Sequence, residues 1–133
     1  MRAKLVGDLI LGQTSAYISQ SKAYIAVWEY AKVTGEDFKT SVRHVLGAQT
    51  EHNKIEFLAM KQNIAERLDK LEDPPEEYTA AYAKLLALHD LYLKLHALAL
   101  KPVPPQDKYD KSINELVQKI QDAGDEFYSI LGI

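Results

Sequence analysis

Apolar residues recur along the chain at steps of three and four positions, the spacing of one face of an α-helix. Helix-breaking residues interrupt this pattern at Gly35, at Pro74–Pro75 and in the proline-rich stretch 102–105. They divide the chain into four segments of roughly 25–35 residues, each with helical periodicity. Segments of similar length joined by short turns predict an all-α fold, an antiparallel up-down-up-down four-helix bundle that occupies residues 1–133 as one domain.

The predicted helices differ in how far their apolar residues extend around the axis. Three of them show a single stripe: Leu11, Ile18, Ile25 and Trp28 in the first; Val42, Leu46, Gln49, Asn53, Phe57, Met60, Ile64 and Leu71 in the second; Tyr109, Ile113, Leu116, Ile120, Ala123, Phe127 and Ile130 in the fourth. The third is apolar almost all round, apart from a strip near Asp90 and Lys94. Such a helix is either central in its fold or meets a second subunit. On the second helix, Ile55 and Leu58 are predicted to point outward.

Residues suited to helix ends stand near the predicted breaks. Asp73 is the expected N-cap of the third helix, with Pro74 in its first helical position and Glu76 completing a capping box. Thr34 with Asp37 is a second start signal, and Gly132 is expected to close the last helix.

Composition and charge exclude several classes of protein. Hydrophobic residues make up 47% of the 133 residues and charged residues 26%, the balance of a globular domain. The net charge is −3 with the two signs interleaved, so we expect no nucleic-acid partner, which would require a clustered basic face. The absence of cysteine excludes disulfides and cysteine-ligated zinc.

The amino-terminal stretch 1–8 begins like a signal peptide, but Asp8 interrupts its apolar run. We interpret it as the first turns of a helix. No stretch is long and apolar enough to span a membrane. The expected location is extracytoplasmic if a leader precedes these residues and cytoplasmic otherwise.

Polar residues fall near the middle of the predicted bundle. If the helices fold back at about residues 35, 74 and 103, His52 and His96 lie at similar height, near Gln49 and Asn53 of the second helix and Thr14, Ser15, Ser19 and Ser21 of the first. Buried polar groups are costly unless they are paired. They could form a hydrogen-bonded layer that fixes the helix register, or a small-molecule or ion site with His52, Glu56 and His96 as candidate ligand-binding residues. If the heights inferred from the turn positions are inexact, these polar side chains lie in water instead.

Motifs for metal binding or catalysis are missing. His52 and Glu56 are four residues apart and could share a metal, but neither the Glu-x-x-His pairs of di-iron bundles nor His-Glu-x-x-His occurs. No Gly-x-Ser-x-Gly elbow or glycine-rich phosphate loop is present. We therefore assign no metal site, no cofactor and no catalytic residue, and we expect a non-enzymatic domain.

A histidine phosphotransfer module is a hypothesis of another kind. Such modules are four-helix bundles with one exposed histidine on the second helix, followed by lysine at three and glycine at four positions. His44 is predicted to be exposed, but Gly47 stands at three positions and the lysine is missing.

Five tyrosines could line a ligand groove, since a phenol combines an apolar body with a polar tip. The more common arrangement, which we expect, places them at the core margin with their hydroxyls in water. They are Tyr78, Tyr82, Tyr92, Tyr109 and Tyr128.

Three local patterns together resemble a known class of proteins. They are the segment 25–31 followed by Asp37-Phe38, the segment 74–78, and the segment from Tyr109 to Phe127 after a proline-containing turn. In these the chain resembles the uncharacterised helical domains of small bacterial lipoproteins and secreted proteins. The resemblance implies a helical fold and an extracytoplasmic location, and it implies no activity.

The sequence thus favours a helical-bundle interaction domain that binds a protein partner or a second copy of itself. This interpretation depends on the broad apolar surface of the third helix and on Ile55 and Leu58, which are predicted to point outward. The alternatives are a small-molecule or ion binder that uses the polar layer, and the phosphotransfer module.

Overall fold

The computed structural model describes residues 2–71 and 74–132 and is all-helical over these ranges. It contains α1 (Arg2–Thr34), α2 (Phe38–Val45), α3 (Gln49–Asp69), a 3-10 turn (Glu76–Tyr78), α4 (Thr79–Ala99) and α5 (Gln106–Leu131). The all-α prediction is confirmed. The described part of the chain has five α-helices instead of four, because the predicted second helix is divided into α2 and α3.

Gly47 is responsible for this division. It adopts φ +57°, a left-handed conformation that favours glycine and ends a helix. Its N–H donates to the carbonyls of Val42 and Arg43, which closes the last turn of α2. The prediction of one continuous second helix is therefore wrong. A glycine of this kind stops a helix, and the apolar stripe that continues on either side of it concealed the break.

The other helix ends agree only in part with the predictions. The N-cap of α2 is Asp37 and not Thr34, which is the last residue of α1. The Asp37 carboxylate accepts hydrogen bonds from the Thr40 backbone N–H at 2.9 Å and the Thr40 hydroxyl at 2.7 Å. Gly132 ends α5 with φ +80°. Pro74 does not open the fourth α-helix, which begins only at Thr79, after the 3-10 turn. The predicted cap at Asp73 lies outside the described residues.

The core is centred on α4. Its residues Leu85, Leu88, Tyr92 and Leu95 are fully buried, and the helix packs against both α1 and α5. The alternative that α4 is central is thus confirmed. Leu91, Leu93 and Leu98 are half-buried against the same core, and Leu86 is the large apolar side chain that the helix exposes.

Contacts between the long helices fix their relative directions. Lys84 pairs with Glu126 and Tyr109 bonds to the Ala99 carbonyl, so α4 and α5 run antiparallel. Trp28 contacts Tyr109 near one end of α1, while Leu11 lies beside Gly124 near the other, so α1 and α5 are also antiparallel.

The buried face of α1 is rotated by one residue from the predicted stripe. Ile10, Tyr17 and Tyr24 are fully buried, whereas Leu11, Ile18 and Ile25 are only half-buried. The reason is that α1 touches all the other helices, so its side chains are enclosed on more than one face and large tyrosines occupy the centre. In α5 the stripe prediction is confirmed at Tyr109, Ile113, Ile120 and Phe127, and is wrong at Ile130, which is exposed.

α3 occupies the margin of the fold. Its backbone approaches that of α1 in antiparallel direction, with Phe57 stacked on Tyr17 at a ring separation of 4.5 Å, and close backbone contacts to α4 and α5 are sparse. Ile55 and Leu58 are 68% and 49% exposed, so their predicted outward orientation is confirmed. No helix among the described residues has the length and apolar character needed to cross a membrane.

Candidate binding groove between α1 and α3

An open groove runs between α1 and α3, because α3 rests on α1 without a further helix covering the junction. Its volume is about 810 Å³, within the range of small-molecule and cofactor sites. Most of its surface is apolar. It is lined by Gln13, Ala16, Ser19, Gln20 and Ala23 of α1, by Leu46, and by Gln49, Thr50, Asn53, Glu56, Phe57, Ala59, Met60 and Asn63 of α3.

Two facing stripes with helical spacing form the walls. Gln13, Ala16, Gln20 and Ala23 follow one another at steps of three and four on α1. On α3, Gln49, Asn53, Glu56, Met60 and Asn63 do the same. Small residues on α1 leave the space open, while carboxamides on both helices give the walls uncharged donors and acceptors.

A hydrogen-bonded chain of amides crosses the groove. The Gln49 amide donates to the Asn53 carbonyl oxygen, and the Asn53 amide donates to the Gln20 carbonyl oxygen, each at 3.0 Å. Gln20 is buried, so this contact ties α1 to α3 at a defined register. Asn53 and Gln49 belong to the polar layer predicted from the sequence, and one part of that layer is thus a register-fixing pair.

Thr50 is the polar residue of the groove whose bonding is incomplete. Thr50 is 5% exposed, and its hydroxyl has no hydrogen-bond partner among the described residues. Thr14 on α1 is equally buried, but its hydroxyl donates to the Ile10 carbonyl at 3.0 Å. An unpaired buried hydroxyl costs about 1–3 kcal/mol.

The three predicted ligand residues are not brought together. His52 and Glu56 pair on the exposed side of α3, with 3.1 Å between Nε2 and Oε1 and exposed fractions of 63% and 68%. Glu56 also lines the groove, so His52 stands at the groove rim through its contact with Glu56. His96 lies on α4, and its described contact is with Tyr17 of α1. The positions of the turns predicted His52 and His96 at similar height in the bundle. Height alone does not determine which way a side chain points, and in the structure the two histidines contact different residues.

His96 forms an internal hydrogen bond instead. Its Nδ1 lies 2.5 Å from the Tyr17 hydroxyl. Burial lowers the pKa of His96, and the Lys61 ammonium acts in the same direction. Burial also raises the pKa of Tyr17, with a further contribution from the Tyr92 hydroxyl. Both shifts favour the uncharged forms, so this pair serves as a neutral hydrogen bond between α1 and α4.

The tyrosine prediction is wrong for two of its five residues. Tyr92 and Tyr109 are fully buried, because they belong to the central helix α4 and to the face of α5 that covers it. The Tyr109 hydroxyl reaches the Ala99 carbonyl at 2.8 Å, so it is satisfied inside the protein. Tyr78 is exposed, and Tyr82 and Tyr128 are half-buried, as expected of margin residues.

His44 is exposed, as predicted, in the last turn of α2. Its Nδ1 contacts the Glu36 carboxylate at 2.6 Å. Gly47 lies beyond the end of α2 and not within a helix as expected. The phosphotransfer hypothesis stays a prediction. Among residues 2–71 and 74–132, no group of three or more histidine, aspartate or glutamate side chains could hold a metal ion.

Comparisons of the chain with protein-family models, curated proteins and solved structures found no match.

The predicted polar layer and the predicted ligand residues include four residues of the groove: Gln49, Asn53, Glu56 and Ser19. The rest of the α1 wall was not predicted. The signal for it is the three- and four-residue spacing of Gln13, Ala16, Gln20 and Ala23, a second stripe beside the one predicted for the first helix. Two facing stripes of this kind indicate a helix pair with space between its members.

Proposed function

We propose that this chain is a non-enzymatic helical domain that binds a partner in the groove between α1 and α3. The observation that carries the proposal is an open groove of about 810 Å³ whose surface is mostly apolar and whose two walls both carry carboxamide side chains. A ligand that fills this groove would bury its apolar surface and could bond to the carboxamides. This retains the interaction function expected from the sequence but moves it away from α4, whose apolar surface is largely taken up by the core.

We further propose an antiparallel up-down-up-down four-helix bundle in which the second helix is divided into two. Its members are α1, the α2–α3 pair, α4 and α5. The antiparallel contacts of α1 with α3 and α5, and of α4 with α5, support this topology. In such a bundle the groove lies between the first helix, α1, and the second, to which α3 belongs.

Small-molecule binding is the second candidate, and Glu56 favours it. This carboxylate was predicted as a ligand residue, and it lines the groove. A small ligand with a cationic group would meet Glu56 at the rim while its uncharged part occupied the apolar floor. Self-association and the likeness to bacterial lipoprotein domains remain predictions from the sequence.

Thermal unfolding with a library of small amide-bearing molecules tests whether the groove binds. A molecule that binds the folded state alone at ten times its Kd adds about 1.4 kcal/mol to the free energy of unfolding, or a few degrees in Tm for a domain of this size. We expect such stabilisation in the wild-type protein and in Ala26→Phe, an exposed α1 position outside the groove.

The variants Ala23→Phe and Ser19→Trp, which place a large side chain in the groove, should lose this stabilisation. Two blocking variants are used in case one of them fails to fold. Circular dichroism shows whether each variant is folded. Molecules that stabilise the blocked variants as strongly as the wild-type protein would show that binding, where it occurs, lies elsewhere.

A further inference from the structure

The chemistry of the groove walls restricts what can bind there. Five of the fourteen lining residues carry a carboxamide: Gln13, Gln20, Gln49, Asn53 and Asn63. A carboxamide offers an N–H donor and a C=O acceptor, the same pair of groups that a peptide bond presents. Glu56 is the one lining residue with an ionisable side chain, so the groove is otherwise uncharged. Such walls suit a ligand rich in uncharged amide groups.

The hydrogen bonds between these amides leave part of their capacity unused. In the chain from Gln49 through Asn53 to Gln20, each contact occupies one hydrogen of an amide nitrogen and one lone pair of a carbonyl oxygen. Every such nitrogen carries two hydrogens and every such oxygen two lone pairs. A ligand can therefore add hydrogen bonds without breaking the contacts that hold α3 to α1.

The dimensions of the stripes fit a short extended chain. From Gln13 to Ala23 the rise along α1 is about 15 Å, and from Gln49 to Asn63 along α3 it is about 21 Å, at 1.5 Å per residue. An extended polypeptide advances about 3.3 Å per residue, so about five residues match this length. Successive side chains of an extended chain point in opposite directions, and alternate ones would therefore face the floor.

An extended segment satisfies the walls where a helix does not. A helix bonds its own backbone N–H and C=O groups internally, so it would desolvate the groove amides without bonding to them through its backbone. An extended segment carries unpaired backbone groups along its length and can bond to the walls repeatedly. Main-chain hydrogen bonds supply affinity in this mode, and side-chain pockets supply specificity.

The floor and rim indicate which side chains the segment carries. Phe57 and Met60 form an apolar floor beside the small residues Ala16 and Ala23. Glu56 adds one negative charge at the rim, where its side chain is 68% exposed. An apolar side chain would bury its surface on the floor, and a basic side chain would be attracted to the carboxylate.

We propose that the groove binds an extended segment of about five residues from a partner polypeptide, through hydrogen bonds from the carboxamides of α1 and α3 to its backbone. One apolar side chain of the segment lies over Phe57 and Met60, and a basic side chain lies beside Glu56. This inference rests on the proposed function, because it names the occupant of the same groove.

Selection from a displayed library of random, unstructured peptides of about seven residues tests the inference. Peptides are selected on the wild-type protein and counter-selected on Ala23→Phe and Ser19→Trp, the groove-blocking variants. We expect enriched sequences in which an apolar and a basic residue recur at a fixed spacing. Each selected peptide is then measured against copies with a single N-methylated backbone amide, which removes one donor.

Carboxamide variants provide the second readout. Gln13→Met and Gln49→Met remove an amide from each wall at similar side-chain size, and Gln62→Met does so on the exposed surface of α3 outside the groove. We expect binding roughly fivefold to tenfold weaker for each of the first two variants and unchanged for the third. N-methylation at alternate positions of the peptide should weaken binding at least as much.

The outcomes separate this inference from the proposed function. Selected peptides that the blocking variants exclude, but that tolerate N-methylation or become helical when bound, would overturn the extended-segment inference and leave groove binding intact. Amide-bearing small molecules that bind in the groove while no peptide is enriched would also overturn it, in favour of a small-molecule site. If neither peptides nor small molecules distinguish the wild-type protein from the blocked variants, the inference and the proposed function are both wrong.

Discussion

Thr50 and Thr14 are two buried threonines whose hydroxyls differ in hydrogen bonding. Both are 5% exposed, and both lie on the helices that form the groove or support it. The Thr14 hydroxyl bonds to its own helix, at the Ile10 carbonyl, which is a common way for a buried threonine to satisfy itself. The Thr50 hydroxyl has no partner among the described residues.

Replacement of each threonine by valine tests this difference. Thr50→Val removes an unpaired buried hydroxyl at constant shape, so we expect the free energy of unfolding to rise by about 1 kcal/mol. Thr14→Val removes a satisfied hydroxyl, and the free energy of unfolding should stay constant or fall by up to about 1 kcal/mol. Urea unfolding at neutral pH measures both. A loss of stability in Thr50→Val comparable to that in Thr14→Val would mean that the Thr50 hydroxyl is bonded in the folded protein.

At the scale of the helices, α1 and α5 are held close together by glycine. A Cβ atom at Gly7 would lie 2.6 Å from Cε2 of Phe127, whose ring is fully buried and cannot move without disturbing the core. Gly124 on the opposite helix faces the flexible side chain of Leu11 at 3.2 Å, a milder contact. Gly12, one turn further along α1, has no neighbouring atom within 4 Å of such a Cβ.

Alanine substitutions distinguish these positions. Gly12→Ala should stabilise the protein by about 0.5–1 kcal/mol, because alanine favours a helix and meets no steric conflict there. Gly7→Ala gains the same propensity but overpacks Phe127, which costs about 1–3 kcal/mol, so its net effect should be destabilising. Thermal unfolding of both variants gives the comparison. Equal stabilisation by the two substitutions would contradict the close contact between α1 and α5.

The presence of the helices could be predicted from the sequence. Which face of each helix is buried could be predicted only in part. The breaks at Gly35 and at the prolines are local events, because each residue limits its own backbone. Gly132 ends α5 as expected, whereas the cap of α2 is Asp37, three residues after the predicted start at Thr34. The break at Gly47 depends on whether the chain uses a left-handed conformation there, and glycine permits this without requiring it. The buried face of α1 was misplaced by one residue at Leu11, Ile18 and Ile25, although Trp28 is buried as predicted. The four helices that contact α1, unknown from the sequence, decide which side chains are enclosed.

At the scale of the whole molecule, the position of α3 produces the candidate site. α1, α4 and α5 approach one another pairwise and hold most of the fully buried side chains, while α3 packs mainly on α1. Part of the α3 wall could be predicted, since Gln49 and Asn53 stand out as polar positions on an apolar stripe and Glu56 stands four residues after His52. The groove itself could not, because its space depends on the distance between two helices. His96 was assigned to the site by height alone, and the structure directs it towards Tyr17.

The most direct test of a binding groove between α1 and α3 is the ¹³C signal of the Met60 methyl group. Met60 lines the groove and is one of only two methionines in the chain, so methyl labelling gives a spectrum that Met60→Leu assigns at once. Titration with the amide-bearing molecules that raise Tm should shift this signal saturably in the wild-type protein and in Ala26→Phe, and should leave it in place in Ala23→Phe. A Met60 signal that stays unmoved while those molecules bind the wild-type protein would contradict the groove as the binding site.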